Sequence, residues 1–422
     1  MREKIALTVI FFSLFTFGVA QEKPSLSEKD LEKNTYYFEI SDGKLTGDGA
    51  KFLIDELSKH QFVLLGEYHG SHQISKFTSA VIPNLHDAGF RNFGLEIGPV
   101  SVGILRELSK DSAKTIENLN TFNSKFYVST KNRIFTPIPF FSYVEDAEFL
   151  AETSKRKWNL IGLDQEFSFS YLPLLERMYQ NLKPKRQKEL KDIYEKAVST
   201  VKNAYVTDEN GGKSSYLAIS ESAEYNRFLD SAAENNLPNK KIADALRKTT
   251  DIYTKNILRR YFEANSNRVE YMKKNLMQGF SEVKFDLRKD KMLLKMGGVH
   301  TGKGFSPLSL FEIGNTLNEL AEFHGNKSLH INFGSRFYIE NGKEIDALDN
   351  KNGFLYRFQA LLQMSKKDKW TLIDLRPLRS DVFYARKFKM DEIVWEIFRN
   401  HDFYLIAPTD IDPKPNYQTT KQ

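Results

Sequence analysis

VLLGEYHGSHQ, residues 63–73, is the stretch on which the reading of this chain turns. The apolar run Phe62–Leu65 stops at Gly66, and Glu67, His69 and His72 then fall within six positions. A short apolar run closed by glycine reads as a buried strand. In an open α/β sheet, ligands sit just beyond the carboxyl ends of such strands. A strand ending in so many titratable groups therefore predicts a site.

The flanking segments extend the pattern. A helix-like stretch (47–60) precedes the strand, and SHQISKFTSAVIPNLHDAG (71–89) places Ile74, Phe77, Val81 and Leu85 at helical spacing before Gly89. RNFGLEIG (91–98) reads as a second strand and WNLIGLD (158–164) as a third, each followed by a helical period. Strand, loop, helix, strand is the rhythm of a parallel sheet flanked by helices. Residues 21–182 thus read as the first part of an α/β core. From 183 to 283 strand signals vanish, and Lys/Glu-rich helical periods such as RQKELKDIYEKAV predict an all-helical insertion. The α/β rhythm returns over 284–422, with KMLLKMGG (291–298), a helix expected to open at Ser306–Pro307, and SLHINFG (328–334). WTLIDLR (370–376) and HDFYLIAP (401–408) are the last strand candidates.

Residues 1–20 have the layout of a secretory signal peptide: a charged start, an apolar run, then Gly18-Val19-Ala20 at the cleavage point. They predict export to the periplasm or beyond, with no membrane span left after cleavage. The chain has no cysteine, which removes thiolate nucleophiles, cysteine metal sites and disulfides, so an exported protein of this size must be stabilised by its own core. A formal charge of +6 with 27% charged residues is mild, and the lysine patches are interspersed with acids. No basic stripe interleaved with aromatics appears, so nucleic acid is not an expected partner.

Four strand ends carry candidate site residues: Glu67 and His69, Glu96, Asp164 and Glu166, and His300. Each has a structural reading of its own, since Asp and Glu cap helices and a lone histidine often serves packing. Their coincidence on one side of a sheet favours a joint site. His72, in the first turn of the following helix, faces either the cleft or solvent. Tyr68, between the acid and the histidine, should point away from them and pack. GGVHTGKG (297–304) approaches a phosphate-binding loop, but Gly304 stands where that loop needs Ser or Thr after Lys303.

GEYHG (66–70), GLEIG (94–98), GLDQEF (162–167) and GGVH (297–300), in this order, resemble the erythromycin esterase-like proteins. These belong to a broader group with the Tiki proteases, the TraB-like proteins and the haem-binding ChaN proteins. The resemblance implies an α/β core and a site of His69, Glu67, Glu96 and His300. It also implies an exported hydrolase that activates water to cleave an ester, lactone or amide in a small-molecule or peptide substrate. Asp164, Glu166, His72 and Tyr68 are expected around that site. If a divalent metal ion takes part, Glu67, His69, Glu96 and His300 would be its ligands. A haem- or iron-binding protein and a non-catalytic binding protein on the same core are the alternatives. Gln73 and Lys76 stand where the esterases carry an acidic and then a basic residue, a departure that puts macrolide specificity in doubt. The helical insertion and the aromatic loop Phe135–Phe141 are expected to shape the substrate pocket.

Overall fold

The computed structural model describes residues 23–129 and 134–419. The signal peptide lies outside the described residues.

Among those residues, nine strands form the main sheet: β1 (Thr35–Ser41), β2 (Lys44–Thr46), β3 (Phe62–Glu67), β4 (Phe90–Leu95), β5 (Asn159–Gly162), β6 (Lys291–Gly297), β7 (Ser328–Ser335), β8 (Trp370–Asp374) and β9 (Phe403–Ala407). Their order across the sheet is β2-β1-β8-β9-β7-β3-β6-β4-β5. The run from β9 to β5 is parallel throughout, and β8, β1 and β2 add an antiparallel flank. This is the expected α/β class, a mostly parallel sheet flanked by helices. The parallel strands are apolar almost end to end because both faces are covered. Val63 and Leu65 pack on one side with Phe77 and Val81 of the helix His72–Asp87. Phe62 and Leu64 pack on the other with Met272, Leu276 and Phe280 of the helix Tyr261–Val283.

Within 183–283 the described structure is helical: Pro184–Glu209, Ser215–Glu221, Ala223–Ala233, Leu237–Ile257 and Tyr261–Val283. These helices share the core of the sheet, for Leu190, Tyr205, Tyr225 and Leu246 belong to the same buried cluster as Val63 and Leu65.

Two features depart from the sequence reading. The sheet begins earlier than expected, with β1 and β2 at an antiparallel edge. The helix expected from Ser306 begins only at Ile313. The Ser306 N–H instead bonds the Leu310 carbonyl, and Ser309 takes a positive φ of 61°, so residues 306–310 close a turn that no helix can continue.

Candidate functional site

Register sets the strand ends level. Glu67 of β3 lies opposite Gly297 of β6, and Leu95 of β4 lies opposite Lys295 of β6 and Gly162 of β5. The residues that follow, Glu96, His69 and His300, therefore emerge at one edge, with β6 between the other two strands. Glycine makes the approach possible: a Cβ on Gly297 would sit 3.2 Å from His69 Nε2 and 3.4 Å from Glu96 Oε2.

The four residues meet through Glu96. His69 Nδ1 lies 3.1 Å from Glu67 Oε1, and its Nε2 lies 3.8 Å from Glu96 Oε2. His300 Nε2 lies 3.4 Å from Glu96 Oε1, while its Nδ1 lies 2.9 Å from Glu312 Oε2. Glu96 thus stands between two imidazoles, each backed by a carboxylate of its own. The His69 side chain is 38% exposed and that of His300 only 6%, so the first ring faces the cleft and the second is enclosed.

Each central carboxylate also holds a cation. Lys295, buried within β6, donates to Glu67 Oε2. Arg268, from the helix Tyr261–Val283, donates to Glu96 Oε1 at 2.8 Å and to both oxygens of Asp164. Burial alone would raise the Glu67 and Glu96 carboxyls. Charges and hydrogen bonds outweigh it and leave both below the usual carboxylate range: Lys295 and the His69 N–H for Glu67, and His300, Arg268 and the Gly297 N–H for Glu96. Burial pulls His300 down, but Glu96 and Glu312 outweigh it and hold its imidazole above the ordinary value.

The neighbours expected from sequence take distinct places. Asp164 borders the cluster through Arg268. Glu166 does not join it. Its carboxylate accepts from the main-chain N–H groups of Val100 and Ser101 and from the Ser101 hydroxyl, capping the helix Pro99–Leu108, and burial pushes it up to about 7. His72 Nδ1 lies 2.9 Å from Glu145 Oε1, a partnership outside the cluster. Tyr68 turns away as expected, but its hydroxyl donates to Asp410 at 2.9 Å, so it is tied by a polar bond to the C-terminal segment.

Three site residues escaped the sequence reading, and a fourth, Phe140, lies in the aromatic loop it expected to shape the pocket. Lys295 carried a signal, a lone charge inside an apolar strand, which folding tolerates only with a partner. Arg268 carried none, because nothing along the helix Tyr261–Val283 tells that it faces the strand ends rather than solvent. Glu312 sits immediately before the helix Ile313–Phe323, where the sequence reading placed it inside a longer helix. Phe140 stacks on His69 at 3.9 Å between ring centroids, with 18° between planes, and holds a positive φ of 62° to do so.

The donor set does not suit a metal ion. Among the described residues, no group of three or more His, Asp or Glu side chains is placed to hold one. Lys295 and Arg268 already neutralise the two carboxylates a metal would need.

A chamber of about 520 Å³ adjoins the cluster on the β7–β9 side, with Gly66, Glu67 and Tyr68 in its wall. The expected pocket-forming segments do not line it: no residue of 183–283 or of Phe135–Phe141 contributes, and its walls come from the C-terminal third and the strand ends.

No protein-family model and no curated protein matches the chain by sequence. Solved structures do match. An erythromycin esterase mutant, EreC, in its open conformation superposes with a TM-score of 0.55 over 90% of this chain and 98% of that one, at 15% identity. The chain has the erythromycin esterase fold. A Bacillus cereus protein matches with a TM-score of 0.53 at 15% identity, covering 92% of this chain and 98% of that one. A succinoglycan biosynthesis protein matches at 0.52 and 13% identity, covering 92% and 97%. At these identities the likeness to the erythromycin esterase is one of fold. Among the described residues, no helix is long and apolar enough to cross a membrane.

Proposed function

We propose that this protein is an exported hydrolase in which His69 activates water to cleave an ester, lactone or amide of a small-molecule or peptide substrate. The observation that carries the reading is the pair of imidazoles on either side of Glu96, one open to the cleft and one enclosed with its proton held.

Ionised Glu67 can only accept a hydrogen bond, so the His69 proton belongs on Nδ1 and Nε2 keeps its lone pair. That nitrogen takes a proton from water as the water oxygen bonds to the acyl carbon. Glu67 steadies the imidazolium that forms. His300 differs in being enclosed, and Glu96 and Glu312 outweigh its burial so that it holds its proton. As the tetrahedral intermediate collapses, the acyl bond to the leaving atom breaks and that atom takes the Nε2 proton of His300. Acid and alcohol, or acid and amine, depart. Glu96 lies on the short path between the two rings by which the proton returns. Arg268 keeps Glu96 ionised, so the helical stretch 183–283, read as an inserted cap, completes the site.

The test is turnover of a panel of neutral esters, lactones and amides, in buffer containing a chelator. The reading expects turnover of at least one class, lost in His69→Ala while the thermal midpoint stays within a few degrees. A folded wild-type protein that turns over none of them would overturn it.

A further inference from the structure

The chamber beside the cluster points to what the substrate carries. We infer that it receives a neutral apolar group, a medium-length alkyl chain or an aryl ring, attached to the bond being cleaved; this rests on the hydrolase reading above.

Three observations support the assignment. The first is position. The chamber opens at the carboxyl ends of β3 and β7, where Gly66–Tyr68 and Asn332–Ser335 form its wall, and ligands of open α/β sheets gather there. The chamber and the histidines share a border: Glu67, the partner of His69, and Gly70, which follows it, line the chamber, and Gly297–Gly298 add a partition of bare main chain. Gly298 lines the chamber, whereas the preceding Gly297 packs under His69 Nε2 and Glu96. A Cβ on Gly298 would come 2.6 Å from Asn332 Nδ2, so two glycines in succession keep this partition free of side chains.

The second observation is chemistry. Phe333, Leu355, Phe358, Ile393 and Ile397 line the interior. Leu355 and Ile393 are only half-buried, and Phe354 and Ile411, 62% and 46% exposed, stand at the chamber with apolar surface turned to water. The fold leaves unfilled a space that close-packed interiors would close. Its volume falls within the range of about 300–1,000 Å³ typical of small-ligand sites.

The third is charge. No lysine or arginine lines the chamber, whereas Glu67, Glu396, Asp410 and Asp412 do, and burial keeps the His401 ring neutral at ordinary pH. A phosphate or carboxylate tail would find no counter-charge, and Lys295, Arg399 and the Tyr68 and Ser71 hydroxyls already engage Glu67, Glu396 and Asp410, so the chamber suits a neutral guest.

The experiment compares p-nitrophenyl acetate, butyrate and octanoate, and separately measures calorimetric binding of 2-decanone, a neutral ketone that cannot be hydrolysed. Each added methylene should raise kcat/KM about fourfold until the chamber is full. Leu355→Trp, which fills the chamber, should flatten that slope and abolish 2-decanone binding; Ile393→Phe serves if the first variant does not fold. Turnover with no chain-length dependence, or a slope the filled chamber leaves intact, would overturn this inference and spare the hydrolase reading. No turnover of any ester, lactone or amide of the panel, with 2-decanone bound by the wild type and not by the variant, would support the chamber and overturn the hydrolase reading. Neither turnover nor binding would overturn both.

Discussion

His69 Nδ1 lies 3.1 Å from Glu67 Oε1, and this one hydrogen bond decides which ring nitrogen is left to do chemistry. The carboxylate can dictate the tautomer only while ionised, and Lys295 keeps it so from inside β6.

Lys295→Met should therefore do two kinds of damage. It leaves the Glu67 charge buried and unpaired, at a cost of about 3–5 kcal/mol. The double variant Lys295→Met, Glu67→Gln should recover much of that stability without recovering hydrolysis, since no anion then orients His69. Urea unfolding of the two variants checks this; equal loss in both would show that Glu67 does not depend on the lysine.

Arg268 joins a helix of the 183–283 stretch to the sheet by bridging Asp164 and Glu96. Its side chain is 24% exposed, so Arg268→Ala should cost about 2 kcal/mol, between the limits for exposed and fully buried pairs. Loss of turnover should exceed what that destabilisation explains at a temperature where the variant is fully folded. Asp164→Asn, which leaves the Glu96 contact in place, should lose less activity. Equal activity losses in the two variants would mean that the arginine acts only as a structural tie.

Phe140 holds its ring on His69 from a backbone conformation that costs a non-glycine residue about 1 kcal/mol or more. Phe140→Gly relieves the backbone and removes the stack. Its thermal midpoint should stay close to that of the wild type while kcat/KM falls about tenfold, because the ring of the base is no longer held in place. Unchanged kinetics would remove Phe140 from the site.

The pH dependence follows from opposite shifts within one cluster. His300 is raised in the folded protein, so its contribution to stability is complete below the ordinary histidine pKa and is lost as pH climbs through the raised value. Glu67 and Glu96 are lowered, so theirs is complete above the ordinary carboxylate pKa and is lost as pH falls through the lowered values. The stability difference between wild type and His300→Gln should shrink as pH rises from near 6 to 9, read from urea midpoints. A difference that grows with pH would contradict a charged His300.

How much of this was legible in the sequence depended on whether a residue's neighbours in space announced themselves along the chain. β3, β4, β5 and β6 were legible because covered parallel strands are plain apolar runs, and Glu67, Glu96 and His300 mark where those runs stop. β1 was not, because Thr35–Ser41 lies in the antiparallel flank, with a largely half-buried, mixed composition. Ser306-Pro307 looks like a helix start, but the turn closed at Leu310 delays the helix and frees Glu312 to meet His300. Glu166 carried the same strand-end signal as Asp164, and only the position of the helix Pro99–Leu108 sends it elsewhere. Arg268 lies 172 residues from Glu96, and no local pattern on its helix singles it out.

The central claim is that His69 itself takes the proton from water. His69→Gly leaves a space beneath Phe140 about the size of the lost ring, and the measurement is kcat/KM of this variant for the best neutral ester, with and without added imidazole. The account predicts a fall of about 10²–10⁴-fold. It also predicts partial recovery that rises with the concentration of free-base imidazole. A folded His69→Gly protein that hydrolyses the ester at the wild-type rate would contradict it.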